Sequence, residues 1–293
     1  MSDLHIVKIN GVHSKILCDS SIAQEISEHF KFRPPNFQYN PKFKAKIWDG
    51  WLRLFKLKNR LLYNGLVYEL EAFAQSRDYT IEYTGDFTTQ ELSLTEAEDF
   101  IKSINLPYDA RDYQIDTFAH CVRNKQHLFV SPTASGKSLM IYSIFRYFNK
   151  KTLIIVPKIQ LVDQMYSDFE EYGYDCESNV HKIYGGQEKE TSKPIVVSTW
   201  QSLMNLPKEW FLQFEVVFGD EAHKCKAVEI KTILENLTNC HIRFGFTGSL
   251  DDSKTNKIVL EGLFGPYKKI ISTKELMDAN YLSKLNLKCI ILE

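Results

Sequence analysis

The sequence has nothing long enough or apolar enough to cross a bilayer. Its longest apolar runs, such as residues 153–156, fall far short of the ~20 residues that a spanning helix needs. Its first residues lack the basic and apolar stretches of an export signal. Six cysteines, at 18, 121, 176, 225, 240 and 289, include no Cys-x-x-Cys pair. That spacing argues against a zinc site or a disulfide framework and for reduced thiols in a cytoplasmic protein. His5, His13, His29, His120, His127, His181 and His241 share no metal-ligand spacing. No internal repeat or low-complexity stretch is present. Charge of neither sign dominates, since 36 Lys and Arg against 37 Asp and Glu leave a net −1. An apolar fraction of 44% and a charged fraction of 25% are those of a folded globular chain, which excludes disordered, collagen-like and coiled-coil classes. A length of 293 residues predicts two domains.

Charge that balances overall is unevenly placed. Residues 31–60 hold nine Lys and Arg against one acid, Asp49, and residues 61–100 hold nine acids against Arg77 alone. A block asymmetry of this kind predicts a basic face.

The first hundred residues read as a small α+β unit. Residues 5–9 and 12–18 are β-rich runs joined by Asn10-Gly11, a dipeptide that supplies positive φ in a tight hairpin turn. Ser20 or Ser21 is placed to cap a helix over 22–32 that Pro34-Pro35 ends. Residues 51–57 alternate as a half-buried strand, 66–74 carry a helical stripe, and 79–83 close the unit as a strand. Thr95 caps a last acidic helix to residue 104, and residues 106–108 read as a linker. This predicts an accessory domain over 1–105 and a second domain over 106–293. In the second domain short β-rich runs (128–131, 153–157, 195–199, 216–219, 242–246) alternate with helical patterns (137–148, 159–171, 228–237). Such alternation implies βαβ units and a parallel sheet with helices on both faces.

The segment Ser131-Pro132-Thr133-Ala134-Ser135-Gly136-Lys137-Ser138 approaches the phosphate-cradling pattern G-x-x-x-x-G-K-[ST], with Ser131 in place of the first Gly. A strand that feeds a turn opening a helix aims backbone N–H groups at an anion. In that pattern Thr133, Ala134 and Ser135 build the loop, Gly136 allows close approach, Lys137 reaches the β- and γ-phosphates, and Ser138 is a ligand for Mg²⁺. Residues 216–218 form an apolar strand ending in Gly219-Asp220-Glu221-Ala222-His223. An acid at the tip of a buried strand beside a phosphate loop can hold Mg²⁺ through its water. The next carboxylate is placed to polarise a water for attack on the γ-phosphate. Asp220 is therefore assigned to the metal and Glu221 to the general base, with ATP and Mg²⁺ as the ligands. Cys225 has no base or second ligand beside it, so no thiol nucleophile is expected.

Together these segments resemble the first motor domain of superfamily 2 nucleic-acid helicases, whose other motifs follow in order. Arg111-Asp112-Tyr113-Gln114 resembles the adenine-reading motif, where a Gln side chain can pair with adenine N6 and N7. Ile155-Val156-Pro157 with Leu161 and Gln164, and Ser198-Thr199-Trp200-Gln201-Ser202-Leu203, resemble the loops that grip the tracking strand. Thr247-Gly248-Ser249 resembles the motif that couples hydrolysis to movement, and the resemblance gives His223 a place in nucleotide binding and coupling. Tyr39-Asn40-Pro41-Lys42-Phe43, Trp48-Asp49-Gly50 and residues 207–214 are similar to phage recombination helicases of the UvsW type across nearly the whole chain.

That likeness implies an α/β fold: a RecA-like parallel-sheet motor domain preceded by a small α+β accessory domain. It also implies an ATP-dependent DNA helicase, DEAH-box-like, acting on forks, Holliday-like junctions and R-loops in recombination, replication and repair. It would work as a monomer in the host cytoplasm, without a membrane partner. The family's second motor domain finds no room after residue 249, so the chain is expected to be the amino-terminal portion of a longer helicase and inactive alone. Two other readings stay open: an ATP-binding nucleic-acid module without autonomous activity, and an RNA helicase, because these motifs do not separate RNA from DNA. Lys42, Lys44, Lys46, Arg53 and Lys56 are expected to neutralise DNA phosphates, with Pro157, Gln164, Thr199 and Trp200 on the tracking strand. Phe32, Phe37, Tyr39, Phe43, Trp48, Trp51 and Phe55 are expected to form the core of the accessory domain.

Overall fold

The structure, a computed structural model, describes residues 2–221, 227–248 and 254–283. Strands β1 (Leu4–Lys8) and β2 (His13–Cys18) form an antiparallel hairpin in which Leu4 faces Cys18 and Lys8 faces Ser14. The helix Ser20–His29 buries Ile22, Ala23 and Ile26. It is followed by β3 (Lys31–Phe32), which pairs only with β4 (Leu52–Arg53). Strand β5 (Leu61–Tyr63) joins β2, and β6 (Ile81–Thr84) runs parallel to β1, giving the order β5-β2-β1-β6.

The hairpin turn corrects one expectation. Neither Asn10 nor Gly11 adopts positive φ. Instead the Asn10 side chain accepts the N–H groups of Val12 and His13 at 2.8 and 2.9 Å. Gly11 is required by proximity, because a Cβ there would lie 2.1 Å from the carbonyl oxygen of Cys240 in the second unit. The hairpin tip is a domain contact.

The second unit is built on β7 (Gln126–Val130), β8 (Thr152–Val156), β9 (Val180–Ile183), β10 (Ile195–Thr199), β11 (Val216–Asp220), β12 (Ile242–Thr247) and β13 (Tyr267–Lys269). These run parallel in the order β13-β7-β12-β11-β8-β10-β9. Strands β8, β10, β11 and β12 are buried at every position, as strands covered on both faces must be. On one face, Ile154, Val156 and Phe218 pack with the helices Asp112–Asn124, Lys137–Phe148 and Ile159–Glu171. On the other, Leu153, Ile155 and Val217 share a core with Ile230, Leu260 and the accessory sheet. The edge strands β9 and β13 were not anticipated; the first is four residues long and the second is the exposed triplet Tyr-Lys-Lys. The β-rich run expected over 285–292 lies outside the described residues.

Two further expectations change. The helix Leu94–Ser103 is capped by Ser93 in a reciprocal box with Glu96, not by Thr95. Its Ala97 and Ile101 lie in the motor core, and Phe100 stacks on Phe118 at 5.3 Å, so this helix packs with the second unit although the expected boundary lay at 105. Of the seven aromatics expected in the accessory core, Phe55 is fully buried. Phe32, Phe37, Phe43, Trp48 and Trp51 are half-buried and Tyr39 is exposed.

The two units meet around Arg243, which is 0% exposed. Its guanidinium donates to the carbonyls of Gly11 (3.3 Å), Leu237 (3.3 Å) and Leu234 (2.7 Å). Tyr63 donates to Glu235 at 2.6 Å and Tyr68 to Glu261 at 3.1 Å across the same junction. His13 stacks on Tyr63 there, and His120 meets His127 edge-to-face at 4.2 Å. Burial, foremost among the causes, pushes all three imidazoles down to about 4. A lowered folded value means that the unfolded chain takes up protons first. Stability should therefore be full above about pH 6.5 and fall as pH drops toward 4, with part of the loss between 6.5 and 5, above the carboxylate range. Urea midpoints across this window should fall, and more shallowly for His127→Leu.

Candidate nucleotide site and nucleic-acid interface

Strands β7, β8, β10, β11 and β12 end at one edge of the sheet, the usual ligand edge of an open parallel sheet. The loop from β7 to the helix Lys137–Phe148 passes through Ala134 at φ +65° and Gly136 at φ +77°. Gly136 is needed twice over, because a Cβ on it would lie 2.3 Å from Gln114 Nε2. Ser131, in the place of the pattern's first glycine, does not adopt positive φ. It is fully buried, its hydroxyl donates to Ser135 Oγ, and its N–H donates to the Thr247 carbonyl at 2.8 Å. The substitution costs the loop nothing in backbone strain.

Lys137 Nζ lies 2.9 Å from Glu221 Oε1, with both side chains 12% exposed. Glu221 follows the buried Asp220 at the end of β11 and adopts φ +49°. A Cβ on Gly248 would lie 3.8 Å from Glu221 Oε2, and Thr247 pairs with Val130 beside the loop. The predicted lysine, the predicted base and the coupling motif thus converge. His223 and Ser249 lie outside the described residues, as do Ala222 and Cys225.

Asp220 and Ser138 offer the hard oxygen donors that a Mg²⁺ ion takes. The Ser138 hydroxyl bonds to Tyr172 Oη at 3.0 Å. Tyr172, just past the end of the helix Ile159–Glu171, therefore sets the direction of Ser138.

The Arg111–Gln114 segment braces the loop. Gln114, 5% exposed, accepts the Arg111 N–H at 2.9 Å and donates to the Ser135 carbonyl at 3.0 Å. Tyr113 Oη accepts from Arg111 Nη1 at 2.8 Å and donates to the same carbonyl at 2.9 Å. The Arg111 guanidinium lies 4.1 Å from the Tyr281 ring centre. Tyr281, some 170 residues away in sequence, was not anticipated. Removing the ring (Tyr281→Ala) should weaken ATP binding about threefold to tenfold while Tyr281→Phe restores it, because the cation–π contact needs only the ring. Nucleotide titration of both variants checks this.

Further along the edge a groove of about 640 Å³ is lined by Pro157, Lys158, Gly186, Lys189, Thr199 and Gln201. Thr199 Oγ1 bonds to Ser202 Oγ at 3.0 Å, and Gln201 donates to the Pro157 carbonyl at 3.5 Å. Pro157 and Thr199 are placed together as expected. Gln164 is exposed on its helix and does not line the groove, and Trp200 packs against the core instead. The loop Tyr184-Gly185-Gly186 was missed because it follows β9, the strand that was not anticipated.

Profile comparison matches residues 97–252 to the family described as type III restriction enzyme, res subunit, and residues 3–84 to that of DNA helicase UvsW, N-terminal. The ATP-dependent DNA helicase uvsW of Enterobacteria phage T4 is 33% identical over 96% of this chain. A crystal structure of the UvsW helicase from bacteriophage T4 superposes with a TM-score of 0.84 at 31% identity, over 91% of this chain and 99% of that one. The chain belongs to the UvsW helicase family. It spans 58% of the length of the T4 helicase. A DNA 3'-5' translocase, XPB2, of Sulfurisphaera tokodaii is 27% identical over 65% of this chain and 43% of its own length.

In this UvsW-family chain the basic block divides. Arg53 is spent on Asp49, with contacts of 3.2 and 2.5 Å whose hydrogen bonds hold the Asp49 carboxyl down at about 2. Lys56 faces Glu235 of the motor unit at 3.6 Å. Both are ion-paired and partly exposed. Among the described residues Lys42, Lys44 and Lys46 have no acidic partner and are exposed.

Proposed function

We propose that this chain binds ATP with Mg²⁺ at the 131–138 loop and couples hydrolysis to movement along DNA, with branched DNA as the substrate. The Lys137–Glu221 pair beneath the loop carries the reading. An entering triphosphate offers Lys137 a stronger anionic partner, and transfer of the ammonium to the phosphates releases Glu221 to orient and deprotonate water. Asp220 and Ser138 would hold the Mg²⁺, which neutralises charge on the β- and γ-oxygens. Thr247 and Gly248, beside Glu221, would sense the change and pass it along β12. Lys42, Lys44 and Lys46 would take the DNA backbone, and the Pro157–Gly186–Thr199 groove the tracking strand.

The test is ATP turnover with forked DNA, linear duplex, single-stranded DNA and RNA as stimulators. Stimulation is expected to be greatest with the fork; stimulation by RNA alone would replace this reading with RNA tracking. Among the described residues Arg111 is the arginine recorded against the loop, while Arg243 is spent on backbone carbonyls. An arginine finger contributes about 10³–10⁵ in rate. The 293-residue chain by itself should therefore turn over ATP more slowly than about one per second.

A further inference from the structure

Residues 33–51 leave the accessory sheet between β3 and β4, and none of residues 33–49 is buried. The extension is nevertheless ordered by local contacts. Phe37 and Phe43 pack edge-to-face at 4.9 Å, and Gly50, at φ +82°, lets the backbone pass the Phe37 ring. Arg33 lies 4.8 Å from the Phe37 ring and 4.6 Å from that of Trp51, with Lys31 4.7 Å from Trp51. After the helix Pro41–Lys44 the N–H groups of Ile47 and Trp48 both donate to the Lys42 carbonyl, at 2.9 and 3.1 Å, through Lys46 at φ +57°. That turn leaves Ile47 77% exposed, and Tyr39 is 67% exposed on the same extension.

Two large apolar side chains are therefore held in water, on a segment whose cations are opposed only by Asp49, itself paired with Arg53. Exposed apolar surface of this kind marks a contact site, and the surrounding charge selects an anionic partner. Linear duplex offers cations its phosphates but hides the faces of its bases in the stack. A branch point or an unpaired base presents an apolar face flanked by phosphates, and side chains such as Ile, Phe and Tyr cover or insert against such faces.

We infer that the 33–51 extension is a base-contacting tip that recognises the branch point of a DNA junction. Ile47 and Tyr39 cover the exposed face of the terminal base pair, and Lys42, Lys44 and Lys46 hold the flanking phosphates. The inference rests on the reading of the chain as DNA-binding and adds to it the feature that separates a junction from a duplex.

The double variant Ile47→Ser, Tyr39→Ser tests it, since both side chains are mostly in water and the fold does not depend on them. The 293-residue chain is titrated without nucleotide against forked DNA and a relaxed circular duplex, which has no terminal base pair, with 2-aminopurine at the junction of the fork. The wild-type chain should favour the fork about tenfold, about 1.4 kcal/mol, and quench the probe by stacking on it. The double variant should bind fork and duplex alike and leave the probe's emission as in the free fork, with duplex affinity unchanged. Lys42→Ala, Lys44→Ala and Lys46→Ala together should weaken both DNAs and flatten the log–log salt slope by about 2.7, at about 0.9 per phosphate. A double variant that keeps fork preference and probe signal, or a wild-type chain without fork preference, overturns the tip. Failure of the wild-type chain to bind either DNA at low salt overturns the DNA-binding reading itself.

Discussion

Glu221→Gln should bind ATP a few-fold more tightly than the wild-type chain and yet lose about 10²–10⁴ in turnover. The carboxylate engages Lys137 at 2.9 Å, so nucleotide must compete for the ammonium. The neutral amide competes less well, which frees the cation for phosphate, and it cannot serve as a base. Lys137→Ala works in the opposite direction. It removes the cation from the phosphate site and leaves Glu221 mostly buried without it, so ATP affinity should fall by about a hundredfold or more. Titration calorimetry and turnover measured on both variants separate the two effects. Full turnover by Glu221→Gln would remove Glu221 from the mechanism, and unchanged affinity in Lys137→Ala would remove the lysine.

Arg243→Met should cost about 3–5 kcal/mol of stability, since each buried carbonyl left without a donor costs about 1–3 kcal/mol. The methionine fills the space but leaves the carbonyls of Gly11, Leu234 and Leu237 without their donor. Two of those carbonyls lie at or just beyond the end of the helix Ala227–Asn236, where a cation also meets the negative end of the helix dipole. The third belongs to the accessory unit, so the junction and the motor core should loosen together. A fall in Tm of roughly 6–10 °C is expected, readable by circular dichroism. An unchanged Tm would show that water replaces the guanidinium at no cost.

Local pattern made much of the motor unit legible. The helices over 137–148 and 159–171 were read to the residue, and the central strands to within two, because fully apolar runs bounded by turns can only be buried strands in this setting. The phosphate loop was readable although its first glycine is absent, since Gly136, Lys137 and Ser138 carry the constraints. Reading failed where a residue's role depends on a distant neighbour. Gly11 looked like a turn glycine and is a close-approach glycine facing Cys240. Lys56 looked like a free cation of the basic block and faces Glu235 of the motor unit at 3.6 Å. Trp200 looked like a strand contact and sits half-buried against the core.

The sequence by itself determined the chemistry: a βαβ motor with a phosphate loop, two acids at a strand tip, and a separate basic block. The phosphate loop and the acidic strand tip are each written within a dozen residues, at the range where periodicity, capping and turn geometry act. Tertiary structure alone decided which groups meet. Lys137 and Glu221 are 84 residues apart and become an ion pair only because β11 and β7 both flank β12. The strand-side groove needs β9 beside β10 to bring Gly186 to Pro157 and Thr199. The order of strands in a sheet is set by long-range packing, and no local pattern encodes it.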